Sequence, residues 1–342
     1  MQFTGRLILL IIMLLSTASY QAIAIEPGKV TGGVDFETPD WFKDSFFEIA
    51  SDVKEADEAG KHVLLFFHLN ACPYCSITVN QQFQKEPLKS FMQEHFDSIE
   101  INIKGDREIA LSAEVSLTER ALADYLKIHG TPTILLLNSD NKVVLRLSGY
   151  RSVEALQQAF NFVQQKAYMK TTFSEYKRQN MKYGLYRFID DPLIETVVDF
   201  SAIRQPVALL IEDDDCNECA TFHNKLINRP QIREQLEHYR FIRIDAKSET
   251  SIIDFNGRKI SPRDWVTELN LVYRPGILLF DEGREIVRVE SMLFPFHFEH
   301  FLRYGLNKNY LVYSRYGELM RARQEILFAQ GIDTNVGKPD DW

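Results

Sequence analysis

Two short apolar runs predict buried strands, one in each half of the chain. The first reads KHVLLFF, from Lys61 to Phe67, and the second reads PVALLI, from Pro206 to Ile211. Short runs of this kind, bounded by polar or turn-forming residues, are typical of strands that are covered on both faces. A helix-like stretch follows each run, so each half begins with a strand and a helix.

The elements that follow occur in the same order in both halves. They are a second strand, a polar insertion, a helix that ends just before a proline, a third strand, a turn, a fourth strand and a closing helix. The predicted bounds in the two halves are Ser98–Ile103 and Arg240–Ile244 for the second strand, Thr118–Ile128 and Pro262–Leu271 for the helix, and Thr133–Leu137 and Ile277–Phe280 for the third strand. This order predicts an α/β fold in which helices flank a central mixed sheet in each half.

Landmark residues recur at a nearly constant spacing between the two halves. Cys216 follows Cys72 by 144 positions, and Pro275 follows Pro132 by 143. A chain of 342 residues is also too long for one small domain. We therefore expect two tandem domains that arose by duplication.

Helical spacing is present outside the two repeated halves as well. An apolar stripe predicts a helix from Asp40 to Ala59 that ends at Gly60. The stripe consists of Phe42, Phe46, Ile49, Ala50 and Val53. Tyr168 to Asp190 is predicted to be a packed connector, and Tyr310 to Gln330 a C-terminal helix followed by a loose tail. The predicted boundaries are a signal peptide at 1–24, a first domain at 39–168, a helical connector at 169–190, a second domain at 191–306, and a C-terminal helix and tail at 307–342.

The first residues have the pattern of a secretory signal peptide. Arg6 precedes an apolar block at 7–15, and the small residues Ala22 and Ala24 predict cleavage after Ala24. An uncleaved anchor is the alternative. The apolar block is shorter than the roughly 20 residues that a spanning helix needs, so we expect no stable membrane span after cleavage. The expected location is the periplasm.

The net charge of -9 argues against a nucleic-acid partner. Phosphate binding requires clustered Lys and Arg, and the sequence has no basic run. A protein or a small thiol is a better candidate for the partner.

All four cysteines lie in two C-x-x-C pairs, Cys72 with Cys75 and Cys216 with Cys219. A disulfide that closes so small a loop contributes only roughly 2 kcal/mol before strain is subtracted. Structural stapling is therefore a poor explanation for the pairs, and redox chemistry is the better one. We expect redox-active disulfides and no bound cofactor.

The first half resembles the SoxW-like periplasmic thioredoxins. The residues that carry the resemblance are the AGK-strand-CPYC run, the INIKGDRE segment, the TPT and the GYRS step, over about residues 40 to 170. The second half resembles the same family more loosely, through Asp254-Phe255-Asn256-Gly257, Trp265 and the Arg-Pro-Gly step.

The resemblance implies two tandem thioredoxin-like domains and a working first site. It makes Cys72 the nucleophile, Cys75 the resolving thiol and Pro132 a cis-proline that faces them. It also implies that the partners are exported protein thiols or disulfides, that a membrane reductant of the DsbD or CcdA kind restores the dithiol, and that the chain has a link to sulfur oxidation.

The chemistry of the first site depends on a thiolate. A cysteine at a helix N-terminus has a lowered pKa, because unpaired N–H groups and the helix dipole favour the anion. Pro73 suits the first helical turn, and Cys75 lies one turn further in, where it can attack a mixed disulfide. The backbone of Thr131, before Pro132, can pair with an extended substrate.

The buried acid that thioredoxins carry six residues before the first cysteine is absent here. Phe66 and Leu210 occupy that position in the two halves. His68 is the candidate replacement as proton acceptor for the resolving thiol, because histidine titrates near working pH. Alternatively, His68 is merely packed or solvated.

The second pair has a different electrostatic setting. The neighbouring carboxylates oppose thiol ionisation. They are those of Asp213, Asp214, Asp215 and Glu218. Arg274, before the expected cis Pro275, favours ionisation. The pair is therefore a second redox relay, a degenerate copy that binds a partner, or a metal site in which Asp215 and His223 join the two sulfurs.

Thiol-disulfide exchange on exported proteins is the function that the sequence favours. The alternatives are a periplasmic protein that binds or delivers copper through its soft thiol ligands, and a redox-inert adaptor. A zinc site shared between the two pairs is disfavoured, because so many residues separate them.

Overall fold

A computed structural model describes residues 26–32, 35–70, 72–128, 130–180, 186–216, 218–335 and 337. The segment for which a signal peptide is predicted, 1–24, lies outside these residues, as does part of the predicted connector, 181–185. Within the described residues, no helix combines the length and apolarity that crossing a bilayer requires.

The first half contains a mixed set of strands and helices. In chain order they are β1 (Val30–Thr31), α1 (Ile49–Glu58), β2 (His62–His68), α2 (Pro73–Ile77), a π-helix (Thr78–Phe83), α3 (Leu88–His95), β3 (Phe96–Asn102), β4 (Glu108–Ala110), β5 (Ser116–Thr118), α4 (Glu119–Tyr125), β6 (Thr133–Leu137), β7 (Val143–Ser148), α5 (Val153–Gln164), a 3-10 turn (Ala167–Met169) and α6 (Phe173–Asn180).

A four-stranded sheet in the order β3-β2-β6-β7 forms the centre of the first domain. β2 pairs in parallel with β3 and antiparallel with β6. Because side chains alternate along a strand, β2 enters two cores. Leu64 and Phe66 pack with α3 and α5, whereas Leu65 and Phe67 pack with α1 and α4. Helices therefore cover both faces of the sheet.

The second half repeats this arrangement. Its elements are β8 (Ile194–Glu195), β9 (Val207–Glu212), α7 (Cys219–Thr221), a π-helix (Phe222–Ile227), α8 (Pro230–Leu236), β10 (Arg240–Asp245), β11 (Ile252–Ile253), β12 (Lys259–Ile260), α9 (Pro262–Glu268), β13 (Gly276–Asp281), β14 (Arg284–Val289), α10 (Pro295–Leu306), a 3-10 turn (Asn309–Leu311), α11 (Tyr316–Ala329) and β15 (Thr334–Asn335). Its sheet has the order β14-β13-β9-β10-β8. Leu209 and Ile211 of β9 pack with α9, whereas Ala208 and Leu210 pack with α8 and α10.

The predicted fold class is confirmed: the chain is α/β, with two domains that are each built on a mixed sheet flanked by helices. The predicted strands agree with β2, β3, β6, β9, β10 and β13 to within two residues. The helices α4 and α9 both end three residues before the predicted position. At Lys127 and Asn270 the backbone takes a left-handed conformation, with φ of 54° and 53°, and this stops each helix.

The helix predicted from Asp40 is wrong in its first half, because α1 begins only at Ile49. Phe47 has a φ of 61°, which a helix does not accommodate, and Phe46 is 97% exposed. The Ser45 hydroxyl stabilises this turn by accepting the N–H of Phe47 at 2.7 Å and donating to Asp52 at 2.6 Å.

The two ends of the described chain are joined. β1 pairs in parallel with β15, so the prediction of a loose tail is wrong for Thr334 and Asn335. The N–H of Lys29 donates to Asp333 at 2.7 Å, and the N–H of Gly28 donates to the Phe328 carbonyl at 2.9 Å. We call the pairing of β1 with β15 the terminal clasp.

Candidate active sites

The first cysteine pair lies at the junction between β2 and α2. Cys72 is the residue before the helix, and its Sγ accepts the backbone N–H of Cys75 at 3.1 Å. Pro73 occupies the first helical turn, where its missing N–H leaves no hydrogen bond unmade. Cys72 and Cys75 form a disulfide, and Cys75 is fully buried whereas Cys72 keeps 7% of its surface exposed. Cys72 is thus the more accessible of the two cysteines.

A proline loop lies beside Cys72. The Thr131–Pro132 peptide bond is cis, and the Thr131 Oγ1 lies 3.4 Å from the Cys72 Sγ. The Pro132 carbonyl accepts the N–H of Gly149 at 2.7 Å, which ties the loop to the end of β7. The structure therefore brings together four of the predicted site residues, Cys72, Cys75, Thr131 and Pro132.

His68 lies at the end of β2 and pairs with a carboxylate. Its Nε2 is 3.2 Å from Glu100 Oε2 on the adjacent strand, and Phe36 meets its ring edge-on at 5.4 Å. The interaction with His68 is the main cause that lowers the pKa of Glu100, against the opposing effect of burial. The role of His68 as proton acceptor stays a prediction.

The second cysteine pair is also a disulfide, and it is more deeply enclosed. Cys216 is 3% exposed and Cys219 is fully buried, with Tyr186 packed against both. The Arg274–Pro275 peptide bond is cis, as in the first domain.

The carboxylates before Cys216 are paired with two cations, Arg274, which the sequence had indicated, and Lys247, which it had not. Arg274, which was expected to lie close to the cysteines, binds Asp213 Oδ2 through its Nε at 2.9 Å. Lys247 pairs with Asp214 at 2.5 Å and also contacts Asp215. These ion pairs weaken the repulsion expected from the three aspartates. Burial raises the pKa of the fourth carboxylate, Glu218.

A buried polar network lies beside the second pair and centres on Glu212, a residue that the sequence did not single out. Glu212 and His223 are both essentially inaccessible, and His223 Nε2 donates to Glu212 Oε1 at 2.9 Å. The Tyr186 hydroxyl donates to the same oxygen at 3.2 Å, and Arg243 Nη1 lies 3.6 Å from the other. Glu212 is the last residue of β9, as His68 is the last residue of β2. The only sequence signal for this network was a carboxylate at the end of an apolar strand.

Among the described residues, no group of three or more His, Cys, Asp or Glu converges as a metal site. The two residues considered as extra ligands have other partners, since Asp215 contacts Lys247 and His223 contacts Glu212.

Tyr74, between the cysteines of the first pair, is covered by the second domain. The N–H of Phe294 donates to the Tyr74 hydroxyl at 2.7 Å, and that hydroxyl lies 3.2 Å from His297 Nδ1. Burial, aided by the charge of His300, lowers the pKa of His297 to about 4. His297 is thus neutral at pH 7, and its Nδ1 can accept the Tyr74 hydrogen.

We expect acid to weaken the fold through this histidine. Below pH 6.5 the unfolded chain binds a proton at His297, whereas the folded chain does not until about pH 4. The free energy of unfolding should therefore decrease as the pH is lowered from 6.5 to about 4. The decrease for this group is at most about 3 kcal/mol. Urea unfolding at several pH values measures this loss. His297→Gln, which retains an acceptor, should flatten the slope, and an unchanged slope would contradict the assignment.

Both halves of the chain are similar to a known protein family. Residues 49–164 and residues 195–306 each match the family described as thioredoxin-like domain. No curated protein matches the chain.

Solved structures align with about a third of the chain. A thioredoxin-fold protein from Helicobacter pylori is 22% identical, over 35% of this chain and 84% of that one, with a TM-score of 0.32. The reduced C-terminal domain of Neisseria meningitidis DsbD is 18% identical, over 33% and 89%, with a TM-score of 0.25. A disulphide isomerase from Xylella fastidiosa is 22% identical, over 40% and 97%, with a TM-score of 0.24.

Proposed function

Because the chain belongs to the thioredoxin-like domain family, which it matches twice, we propose that it is a thiol-disulfide oxidoreductase that works through Cys72 and Cys75. The observation that carries the proposal is the position of the Cys72 sulfur. This sulfur accepts a hydrogen bond from the backbone N–H of Cys75 at the start of a helix, and it lies next to the cis Thr131–Pro132 bond.

These contacts suit a nucleophilic thiolate. The Cys75 N–H at 3.1 Å and the Thr131 hydroxyl at 3.4 Å can both donate to a Cys72 thiolate and so favour negative charge on that sulfur. The cis-proline loop leaves the backbone of Thr131 available to pair with an extended chain.

Reduction of a target disulfide proceeds in two exchanges. The Cys72 thiolate attacks one target sulfur, which forms a mixed disulfide and releases the other target sulfur as a thiolate. Cys75 then gives up its proton and attacks the Cys72 sulfur, which restores the Cys72–Cys75 disulfide and frees the second target thiol. Two electrons pass from the cysteine pair to the target, and the reverse sequence oxidises a target dithiol.

The cellular setting that we propose is the periplasm. The charge at Arg6, the apolar block at 7–15 and the small residues Ala22 and Ala24 support export with cleavage after Ala24. In that compartment the partners are exported protein thiols or disulfides, and a DsbD-like or CcdA-like membrane protein supplies electrons. We assign the chain to the SoxW-like group, with its second domain derived by duplication and its redox-active disulfides as the only cofactors.

The second pair fits a slower exchanger. Cys216 and Cys219 are enclosed by Tyr186, but the neighbouring aspartates are paired with Arg274 and Lys247. These ion pairs weaken the like-charge repulsion that opposes a thiolate at Cys216, and enclosure of the pair limits its rate of exchange.

Cys72→Ser tests the proposal directly. A serine hydroxyl is a far weaker nucleophile than a thiolate, so we expect the variant to lose reduction of insulin disulfides when dithiothreitol supplies the electrons. Insulin precipitation measures the rate. Ser251→Ala, at an exposed serine of the second domain, is the control and should keep the wild-type rate. Undiminished insulin reduction by Cys72→Ser would reject the function.

A further inference from the structure

Tyr74, the residue before Cys75, contacts the second domain. The ring of Tyr74 stacks on Phe294 with 4.4 Å between centroids, and its hydroxyl lies between the N–H of Phe294 and Nδ1 of His297. Phe294 is fully buried and belongs to the same apolar cluster as Cys72 and Cys75. The second domain thus contributes part of the packing around the first disulfide.

The corresponding residue of the second pair, Glu218, also lies near the first domain. Burial of the Glu218 carboxylate raises its pKa, and the nearby Ser152 side chain opposes this shift. The Arg151 guanidinium lies 4.1 Å from the centroid of the Tyr273 ring, two residues before cis Pro275. Both Arg151 and Tyr273 are buried.

Backbone segments of the two domains also meet closely at this interface. Gly149 has a φ of 80°, and a Cβ at this position would lie 2.6 Å from the Cβ of Ser291. A side chain at residue 149 would therefore separate the two loops. Tyr150, the next residue, packs against the core of the second domain.

The parts that meet are equivalent in the two domains. In each domain they are the residue inside the C-x-x-C motif and the loop between the last strand of the sheet and the following helix. In the first domain these are Tyr74 and residues 149–152, and in the second they are Glu218 and residues 290–294. The contact is therefore reciprocal, with an approximate two-fold relation between the domains.

We propose that the two C-x-x-C faces are docked on each other in the doubly oxidised chain, so that each domain blocks the protein-binding surface of the other. The proposal rests on the proposed function and adds the regulation of its site. The partner of the first site in this closed form is the segment from Ser291 to His297.

In the closed form, the rate of thiol exchange at the first site depends on the size of the reacting partner. Cys72 retains 7% exposure, which a small thiol can use, but an extended protein chain needs the Thr131–Pro132 loop and the surface around Tyr74. The apparent rate with a protein partner is then reduced by the fraction of molecules that are open.

The test compares a small and a protein-sized reductant on the full oxidised chain. Each reductant gives two electrons and two protons to the Cys72–Cys75 disulfide and becomes a disulfide itself. Dithiothreitol is the small probe, and a reduced single-domain thioredoxin is the large one. The reaction is stopped with N-ethylmaleimide, and mass spectrometry of the peptide that contains Cys72 gives both rates.

Ser291→Arg introduces a long charged side chain opposite Gly149 and should open the interface. We expect the rate with the thioredoxin to rise about tenfold while the rate with dithiothreitol stays within about twofold, since only the large probe requires opening. Ser251→Arg, an exposed serine before β11, is the matched control and should change neither rate.

Phe294→Ala provides a second opening variant that adds no bulk. It removes the ring that stacks on Tyr74, and circular dichroism checks that each variant is folded. If folded Ser291→Arg and Phe294→Ala both keep the wild-type ratio of the two rates, the closed form is overturned. Failure of the proposed function would appear elsewhere, as undiminished insulin reduction by Cys72→Ser.

Discussion

Replacing Cys75 with alanine is expected to abolish turnover and to leave Cys72 joined to its substrate by a disulfide. Cys75 is fully buried and lies one helical turn from Cys72, so it is the thiol placed to release a bound target. Without it, the first exchange still forms the mixed disulfide, but the second exchange has no attacking sulfur. Turnover is therefore lost completely although the nucleophile remains.

Non-reducing electrophoresis and mass spectrometry of the Cys75→Ala chain after reaction with oxidised insulin should show an adduct at Cys72. The double variant Cys72→Ala/Cys75→Ala is the matched control and should give no adduct at this site. An adduct at Cys216 instead, with Cys72 free, would contradict the assignment of the first pair as the working one.

Replacing Glu212 with alanine is expected to destabilise the protein by about 3–5 kcal/mol, the cost typical of removing one partner from a buried pair. The change leaves His223 and Tyr186 without their shared acceptor, at a position that water does not reach. Urea unfolding followed by circular dichroism measures the loss.

Two variants separate this network from the general effect of losing a carboxylate. Glu212→Gln keeps an acceptor oxygen and should recover most of the stability. Glu100→Ala removes the partner of His68 at the matching strand end, but this pair is partly solvated and should cost only about 1 kcal/mol. Equal losses for Glu212→Ala and Glu100→Ala would show that the burial of the Glu212 network contributes nothing.

The sequence predicted the sheets well because a strand that is buried on both faces is a continuous apolar run in the sequence. β2 and β9 are apolar at nearly every position, and each is followed by a C-x-x-C pair, so the strand, the cysteines and the helix could be placed without tertiary information. The cis bonds at Pro132 and Pro275 were expected from the family resemblance, whereas the cis bond at Pro87 was not.

Contacts between distant residues account for several features that the sequence did not predict. Arg274 and Lys247 neutralise the aspartates before Cys216, but nothing in the local sequence pairs them. Tyr74 and Phe294 are 220 positions apart, so their contact leaves no periodic signal. The early part of the predicted first helix failed for a local reason, the left-handed backbone at Phe47, which apolar spacing cannot reveal.

The terminal clasp gives the molecule a second tether. One covalent connection runs between the domains through α6, and the pairing of β1 with β15 joins the start of the first domain to the end of the second. Two attachments confine separation of the domains to a hinge-like rotation and hold each at a high effective concentration relative to the other, in roughly the millimolar range. Reassociation after each encounter is thus intramolecular, and dilution of the protein does not slow it.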